Sequence, residues 1–215
     1  MIKRIIRFYL TVLLGLLTSV YSYSGEDAET IIKKLQKKYD TIKDASINYT
    51  QNIQFGVTKN EQTFSGRLIM KRGNKYRIQM EQQTIITDGK SVWSVNLMNR
   101  QVVIDKYHDD PKTFSPDKIM VNVPDNYNAS ILGKEKLKDR ELLAIKLIPK
   151  NKKSNIRWMK VWVDEDDLLM KKIQVLEVSD NLSTYTIDEL KINQGISDKE
   201  FLYEAPSGIE VIDLR

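Results

Sequence analysis

The chain has 215 residues, with 34 lysines and arginines against 29 aspartates and glutamates, a formal charge of +5 and no cysteine. That length makes one domain, or a domain with an appendage, large enough to bury a sizeable core, and the missing thiols exclude disulfides, thiolate chemistry and cysteine-bound zinc. Three of the bases, Lys3, Arg4 and Arg7, fall within residues 1–24, which hold no acid, so the remainder carries 31 bases against 29 acids. A chain so close to neutral, with no run of bases interleaved with aromatics, has no nucleic-acid signature.

Those three bases precede an apolar run from Phe8 to Val20, and Ser22 and Ser24 then stand three and one residues before Gly25. This is the pattern of a secretory signal peptide, too short to serve as a membrane span, with cleavage expected near Ser24. The expected product is an exported domain over residues 25–215, released without a lipid anchor because no cysteine follows the cleavage site.

The exported chain opens with a helix. Ala28, Ile31, Ile32, Leu35, Tyr39 and Ile42 recur every three or four residues, with Glu26, Asp27 and Glu29 at the start and Lys33, Lys34, Lys37 and Lys38 on the outer side. One apolar stripe of this kind needs a surface to cover, and the lysines read as a solvated face. From Ser46 the period becomes two, and strands are expected over 46–55, 63–81 as a two-strand segment, 84–87, 91–97 and 102–107.

The segment from Thr63 to Glu81 organises the rest. Phe64, Leu68, Met70, Tyr76, Ile78 and Met80 share one parity, and the odd positions are polar or glycine except Ile69. Arg72 has the parity of the apolar face, where a guanidinium must find an acceptor or reach water. Such a face is either an ordinary core with a snorkelling arginine or the lining of a cavity with a latch.

His108 stands alone in a polar turn, without the second ligand that a metal site needs. Ser115-Pro116-Asp117 is a helix start, opening a short amphipathic piece with Ile119, Met120 and Val123 that Pro124 ends. Strands are expected again over 128–132, 142–148, 158–164, 169–178 and 182–192, and the tail from Phe201 to Ile212 reads as an irregular closing segment. Asp164 to Asp167 lacks the glycine and spacing of a calcium loop and reads as a hairpin tip.

The sum is an α+β domain: a single antiparallel sheet of about eleven strands that must coil into an incomplete barrel, with two amphipathic helices as a lid over its concave face. Its interior is expected to be lined by Phe64, Leu68, Met70, Ile78, Met80 and Trp93, and the six methionines after Met1 suit an adaptable surface. No paired acids and no nucleophile with a base stand in a recognisable frame, so the reading is not an enzyme and names no cofactor or metal.

Phe64-x-Gly66-x-Leu68 running into Lys71-Arg72, Tyr76 four residues on, Thr87-Asp88-Gly89-Lys90 with Trp93, and the closing Phe201 and Pro206-x-Gly208-x-Glu210-Val211 recur in that order in one family. Over nearly the whole exported chain the sequence resembles the LolA family of periplasmic lipoprotein carriers. The resemblance implies transport of acylated lipoproteins from the inner to the outer membrane, with their acyl chains held in the cavity. It implies a lid latch at Arg72, a pocket aromatic at Tyr76, and lid helices that contribute Ile31, Leu35, Ile119, Met120 and Val123. Gly73 stands where the family usually has proline, and Tyr76 where phenylalanine is more usual. The implied partners are an inner-membrane release ABC transporter, an outer-membrane acceptor and the cargo, with the carrier itself a monomer. Arg72 is expected to reach acceptors near Ile119 or Val123. A general lipid or glycolipid carrier, and a sensor of stray lipoproteins, are the other classes the same frame allows.

Overall fold

The structure is a computed structural model, and it describes residues 27–108 and 127–215. The second expected helix, with Ile119, Met120 and Val123, lies outside the described residues.

Helix α1 spans Ala28–Tyr39. Asp27 caps it, with one carboxylate oxygen accepting from the Thr30 N–H at 2.9 Å, while Glu29 sits in the first turn and Lys37 and Lys38 in the last. These charges complement the helix dipole. Ile31, Ile32, Leu35 and Tyr39 form the buried stripe. At roughly 1.5–3 kcal/mol for each large side chain taken from water, packing rather than intrinsic propensity holds so short a helix.

Twelve strands follow: β1 Asp44–Gln54, β2 Glu61–Lys71, β3 Lys75–Gln79, β4 Gln83–Asp88, β5 Ser91–Asn96, β6 Gln101–Lys106, β7 Tyr127–Leu137, β8 Arg140–Pro149, β9 Ile156–Asp164, β10 Leu169–Glu177, β11 Leu182–Ile192 and β12 Glu210–Asp213. They form one open sheet in the order β12-β6-β5-β4-β3-β2-β1-β11-β10-β9-β8-β7. All pairings are antiparallel hairpins or the β1–β11 seam, except β12, which lies parallel to β6. The closing tail is thus not wholly irregular: it makes a 3-10 turn at Asp198–Phe201 and then this edge strand. It escapes a period-two reading because only four residues pair.

The sheet is strongly curved. Residues of β3 and of β8, far apart in strand order, belong to one apolar cluster together with α1. Twist supplies part of the bend, and register shifts at Asn48/Tyr49, Ile131/Gly133 and Met170/Lys172 add local kinks. The Met170 shift has a partner in the helix, because the Met170 N–H donates to the Tyr39 hydroxyl at 2.9 Å. Burial pushes the Tyr39 phenol above its ordinary pKa, so it stays protonated.

Turns at the Arg72 end are stacked on one another. Gly73 and Asn74 take positive φ in the β2–β3 turn. Gly89, also at positive φ, lies so close beneath it that a Cβ would sit 2.3 Å from the Gly73 carbonyl oxygen. Asp88-Gly89 is therefore needed here both for its turn and for its lack of a side chain.

Candidate functional site

Strand register decides which side chains share a surface. Ala45 pairs with Met70, Ile47 with Leu68, Tyr49 with Gly66 and Gln51 with Phe64, while Leu68 pairs with Ile78 and Met70 with Tyr76. All of these stand on the concave face with α1. Leu68 and Ile78 are fully packed, and Met70, Tyr76 and Met80 are half-buried against the same cluster as Ile31 and Leu35. Phe64 lies further up β2, beyond Gly66, and remains 39% exposed.

Trp93 is not among them. It pairs with Ile86, which pairs with Arg77, which pairs with Ile69, and those positions face the opposite, convex side. There Trp93 packs with Ile86, Val95 and Val102 beneath Tyr203 and Ile209 of the C-terminal segment. The expectation of a cavity-lining Trp93 is therefore corrected. β4 carries apolar side chains on both faces, Ile85 toward the concave cluster and Ile86 toward the convex one, so parity alone could not tell which face an apolar residue serves.

Gly66 answers a local need. A Cβ there would lie 2.4 Å from the Tyr49 ring, which rests across the strand over the glycine. Tyr49 in turn stands 6.0 Å from Tyr185, centroid to centroid, and the Gln51 amide donates to the Tyr185 hydroxyl at 3.0 Å. Burial raises the pKa of both phenols, so this aromatic pair is neutral at any physiological pH. The Tyr49 parity is legible in the sequence. The approach of Tyr185 is not, because it depends on the seam between β1 and β11.

Arg72 begins the turn after β2 and reaches back to the end of α1. Its Nε donates to the Ile42 carbonyl at 3.1 Å, its terminal nitrogen donates to the Asp40 carbonyl, and its backbone N–H donates to the Lys43 carbonyl at 3.1 Å. Among the described residues its acceptors are thus at the end of the first helix; Ile119 and Val123, near which acceptors are expected, lie outside the described residues. They are unpaired carbonyls at a helix C-terminus, the groups a guanidinium finds most readily. Arg72 is itself exposed, so water competes and the two side-chain bonds are worth about 0.5–1.5 kcal/mol each. A link of that strength helps to hold the helix end.

Lys71, one residue earlier, points to the other face. Its ammonium donates to the Ile196 carbonyl at 2.9 Å and to the Asp198 carboxylate at 2.7 Å, and Lys75 reaches the second oxygen of Asp198 at 2.8 Å. Between them the two lysines hold the Asp198 carboxyl down to about 2. Arg77 completes this clasp by donating to the carbonyls of Glu200 and Leu202 at 2.7 and 3.0 Å. Asp44 is buried nearby and accepts from the N–H groups of Gln194 and Gly195 at 2.7 and 3.1 Å. Neither Asp44 nor Arg77 carries a sequence signal for this role.

A cleft of about 330 Å³ lies at the β1 bulge, lined by Asn48, Ser65, Arg67, Gln79 and Asp188 with the edges of Tyr49, Gly66 and Met80. Most of its residues are polar, yet the surface it exposes is more apolar than polar, and Tyr49, Gly66 and Met80 join it to the concave face. Among the described residues, no helix is long and apolar enough to cross a membrane.

An open sheet curled around an apolar concave face, with an amphipathic helix tied to it by Arg72 and by the Tyr39–Met170 bond, defines the class of half-barrels with a helical cover. The match to the family model for the outer membrane lipoprotein carrier protein LolA runs over residues 40–204, and the chain belongs to that family. The outer-membrane lipoprotein carrier protein of Histophilus somni strain 2336 is 27% identical over 188 residues, covering 86% of this chain and 88% of that protein. The protein of the same description from Pasteurella multocida is 26% identical over 208 residues, 95% of each chain. In fold, the chain is similar to an uncharacterized conserved protein from Thermus thermophilus, with a TM-score of 0.56 and 12% identity, covering 86% of this chain and 98% of that one.

Proposed function

We propose that the protein is a periplasmic carrier of lipoproteins. It holds their acyl chains against the concave face and moves them from the inner to the outer membrane. Acyl chains in water expose many methylenes at about 0.8 kcal/mol each, so a lipoprotein leaves a bilayer only into an apolar host. The carrying observation is the Arg72 tie between the C-terminus of α1 and the β2–β3 hairpin, whose concave face bears Leu68, Met70, Tyr76 and Ile78. The host surface and its closure are joined at one residue.

In this reading Met70, Tyr76, Met80 and Phe64 are the contact surface, being half-buried or exposed on the concave side, while Leu68 and Ile78 form its floor. Ile31 and Leu35 ride on the lid and leave the floor when it opens. Residues 1–24 act as the cleaved export signal, and residues 25–215 as the carrier. The partners are an inner-membrane release ABC transporter, an outer-membrane acceptor and the acylated cargo. No chemistry on the cargo is involved.

A transfer assay tests the function. A labelled acylated lipoprotein is presented in donor vesicles with and without the protein, and soluble cargo is measured. Cargo that appears in solution only with the protein supports carriage. Equal release of an unacylated version of the cargo would refute the acyl-chain reading.

A further inference from the structure

Three hairpin tips are laced together at the end of the half-barrel opposite Arg72. The β1–β2 tip is tied to the β10–β11 tip by the Gly56 N–H, which donates to the Asn181 side chain at 2.9 Å. A Cβ on Gly56 would lie 2.4 Å from the Ser179 carbonyl, so the two tips are in direct contact. The β10–β11 tip is tied to the β8–β9 tip by the Val178 N–H, which donates to the Asn155 carbonyl at 2.9 Å, and by Arg157, which pairs with Asp180 and donates to the Val178 carbonyl at 3.0 Å. These loops form one braced rim.

The rim presents an unusual set of side chains to water. Val57 at the first tip is 91% exposed, Val178 at the second 52%, and Ile148 at the base of the third 45%. Lys59 flanks Val57, and Lys152 and Lys153 crown the third tip. All three lysines are exposed and none makes an ion pair among the described residues. Of the nearby acids Asp180 is paired with Arg157, while Glu177 and Glu61 accept from the neutral Ser179 hydroxyl at 3.0 Å and Gln54 amide at 3.1 Å and keep their charge.

We propose that this braced rim seats on the surface of an anionic phospholipid bilayer, with Val57 and Val178 entering the headgroup layer and Lys59, Lys152 and Lys153 meeting phosphate. The charge pattern matches such a surface, where each basic side chain strengthens partition about five-fold and the attraction is screened by salt. A protein partner is a poorer fit, because binding hot spots gather aromatics and arginine in a pocket, whereas these apolar side chains are small, aliphatic and set on separate projecting tips. The inference rests on the carrier reading for its purpose, since a carrier must meet two membranes, but it concerns a surface on which that reading does not depend.

The test is co-sedimentation of the purified protein with phosphatidylcholine vesicles, with and without phosphatidylglycerol, over a range of salt. The expected result is binding to the phosphatidylglycerol vesicles that weakens with salt. K152E/K153E should lower partition by about 25-fold or more, at five-fold per lysine, and V57D should abolish what remains. Equal binding to neutral and anionic vesicles, or unchanged binding by K152E/K153E, overturns the proposal. Binding of a polyglutamate peptide at the rim while vesicles are ignored overturns it in favour of an acidic protein partner. Binding of a fluorescent acylated peptide is measured in parallel. Variants that keep it yet show wild-type vesicle behaviour refute the rim alone, whereas a wild-type protein that fails to bind the peptide refutes the carrier.

Discussion

Tyr39→Phe isolates one of the polar contacts that fasten the helix to the sheet, the other being that of Arg72. Tyr39 is 6% exposed and Met170 is fully buried, and the Met170 N–H gives its hydrogen to the Tyr39 hydroxyl where the β9–β10 register shifts. The substitution keeps the ring and its apolar burial, and leaves a buried donor without that acceptor. Such a loss costs about 1–3 kcal/mol. For a domain of this size each kcal/mol lowers the melting midpoint by roughly 2–4 °C, so the expected fall is roughly 2–12 °C. Urea titration should show a lower midpoint with an unchanged slope, because the surface exposed on unfolding is the same. Hydrogen exchange over residues 28–39 should quicken more than over β8 and β9, since the helix end loosens first. A variant within about 0.5 kcal/mol of wild type, with unchanged exchange in the helix, would refute the reasoning, because the Met170 N–H would then be satisfied elsewhere.

Arg72→Leu should quicken exchange in the last turn of α1 by several-fold and leave acyl-peptide binding intact, while release of cargo to acceptor vesicles slows; normal transfer would count against the latch. Trp93→Ala should destabilise by about 3–5 kcal/mol, the usual cost of emptying a buried tryptophan, and leave acyl-peptide binding by the folded fraction unchanged, as a convex-face residue requires. Gly66→Ala forces the buried Tyr49 ring to move, and a cost of about 1–3 kcal/mol in chemical denaturation is expected, with a changed near-ultraviolet tyrosine signal. Lowering the pH should free the C-terminal segment. The folded pKa of Asp198 is depressed from an ordinary 3.8 to about 2, so its contribution is complete above about pH 4 and is lost as pH falls through 2. Exchange over residues 196–202 in that window should rise, and Asp198→Asn should show the raised exchange already at pH 7.

Legibility follows how local each signal is. The stripe of α1 and the alternation of β2 and β3 depend on neighbours in sequence, and they place Leu68, Met70, Ile78 and Arg72 on one face. Alternation carries no sign, however. Ile86, Trp93 and Val95 look like another apolar face, and only the pairing of β4 with β3 reveals that they look outward toward Tyr203 and Ile209. The Arg72 acceptors escape the sequence for a related reason. Unpaired carbonyls end every helix, so the sequence offers two termini and gives no distance to either. β12 is unreadable because it is held by pairing to β6 and by the Leu214 N–H, which donates to the Ile104 carbonyl, rather than by a pattern of its own.

For the lid proposed above, the consecutive residues Lys71 and Arg72 mark where its pivot would lie. Arg72 grips the carbonyls of Asp40 and Ile42 on the concave side, while Lys71 grips Ile196 and Asp198 on the convex side. Two residues after Ile42, Asp44 is buried and fixed by the N–H groups of Gln194 and Gly195, and the Lys43 N–H donates to the Asn193 side chain at 2.7 Å. The chain is therefore anchored from residue 43 onward by bonds independent of the latch, and before residue 40 it is a rigid helix. In the proposed opening, the buried Tyr39–Met170 bond must break together with the two Arg72 side-chain bonds; residues 40–42 are then the place where φ and ψ can change without breaking strand pairing, and β1 stays in register.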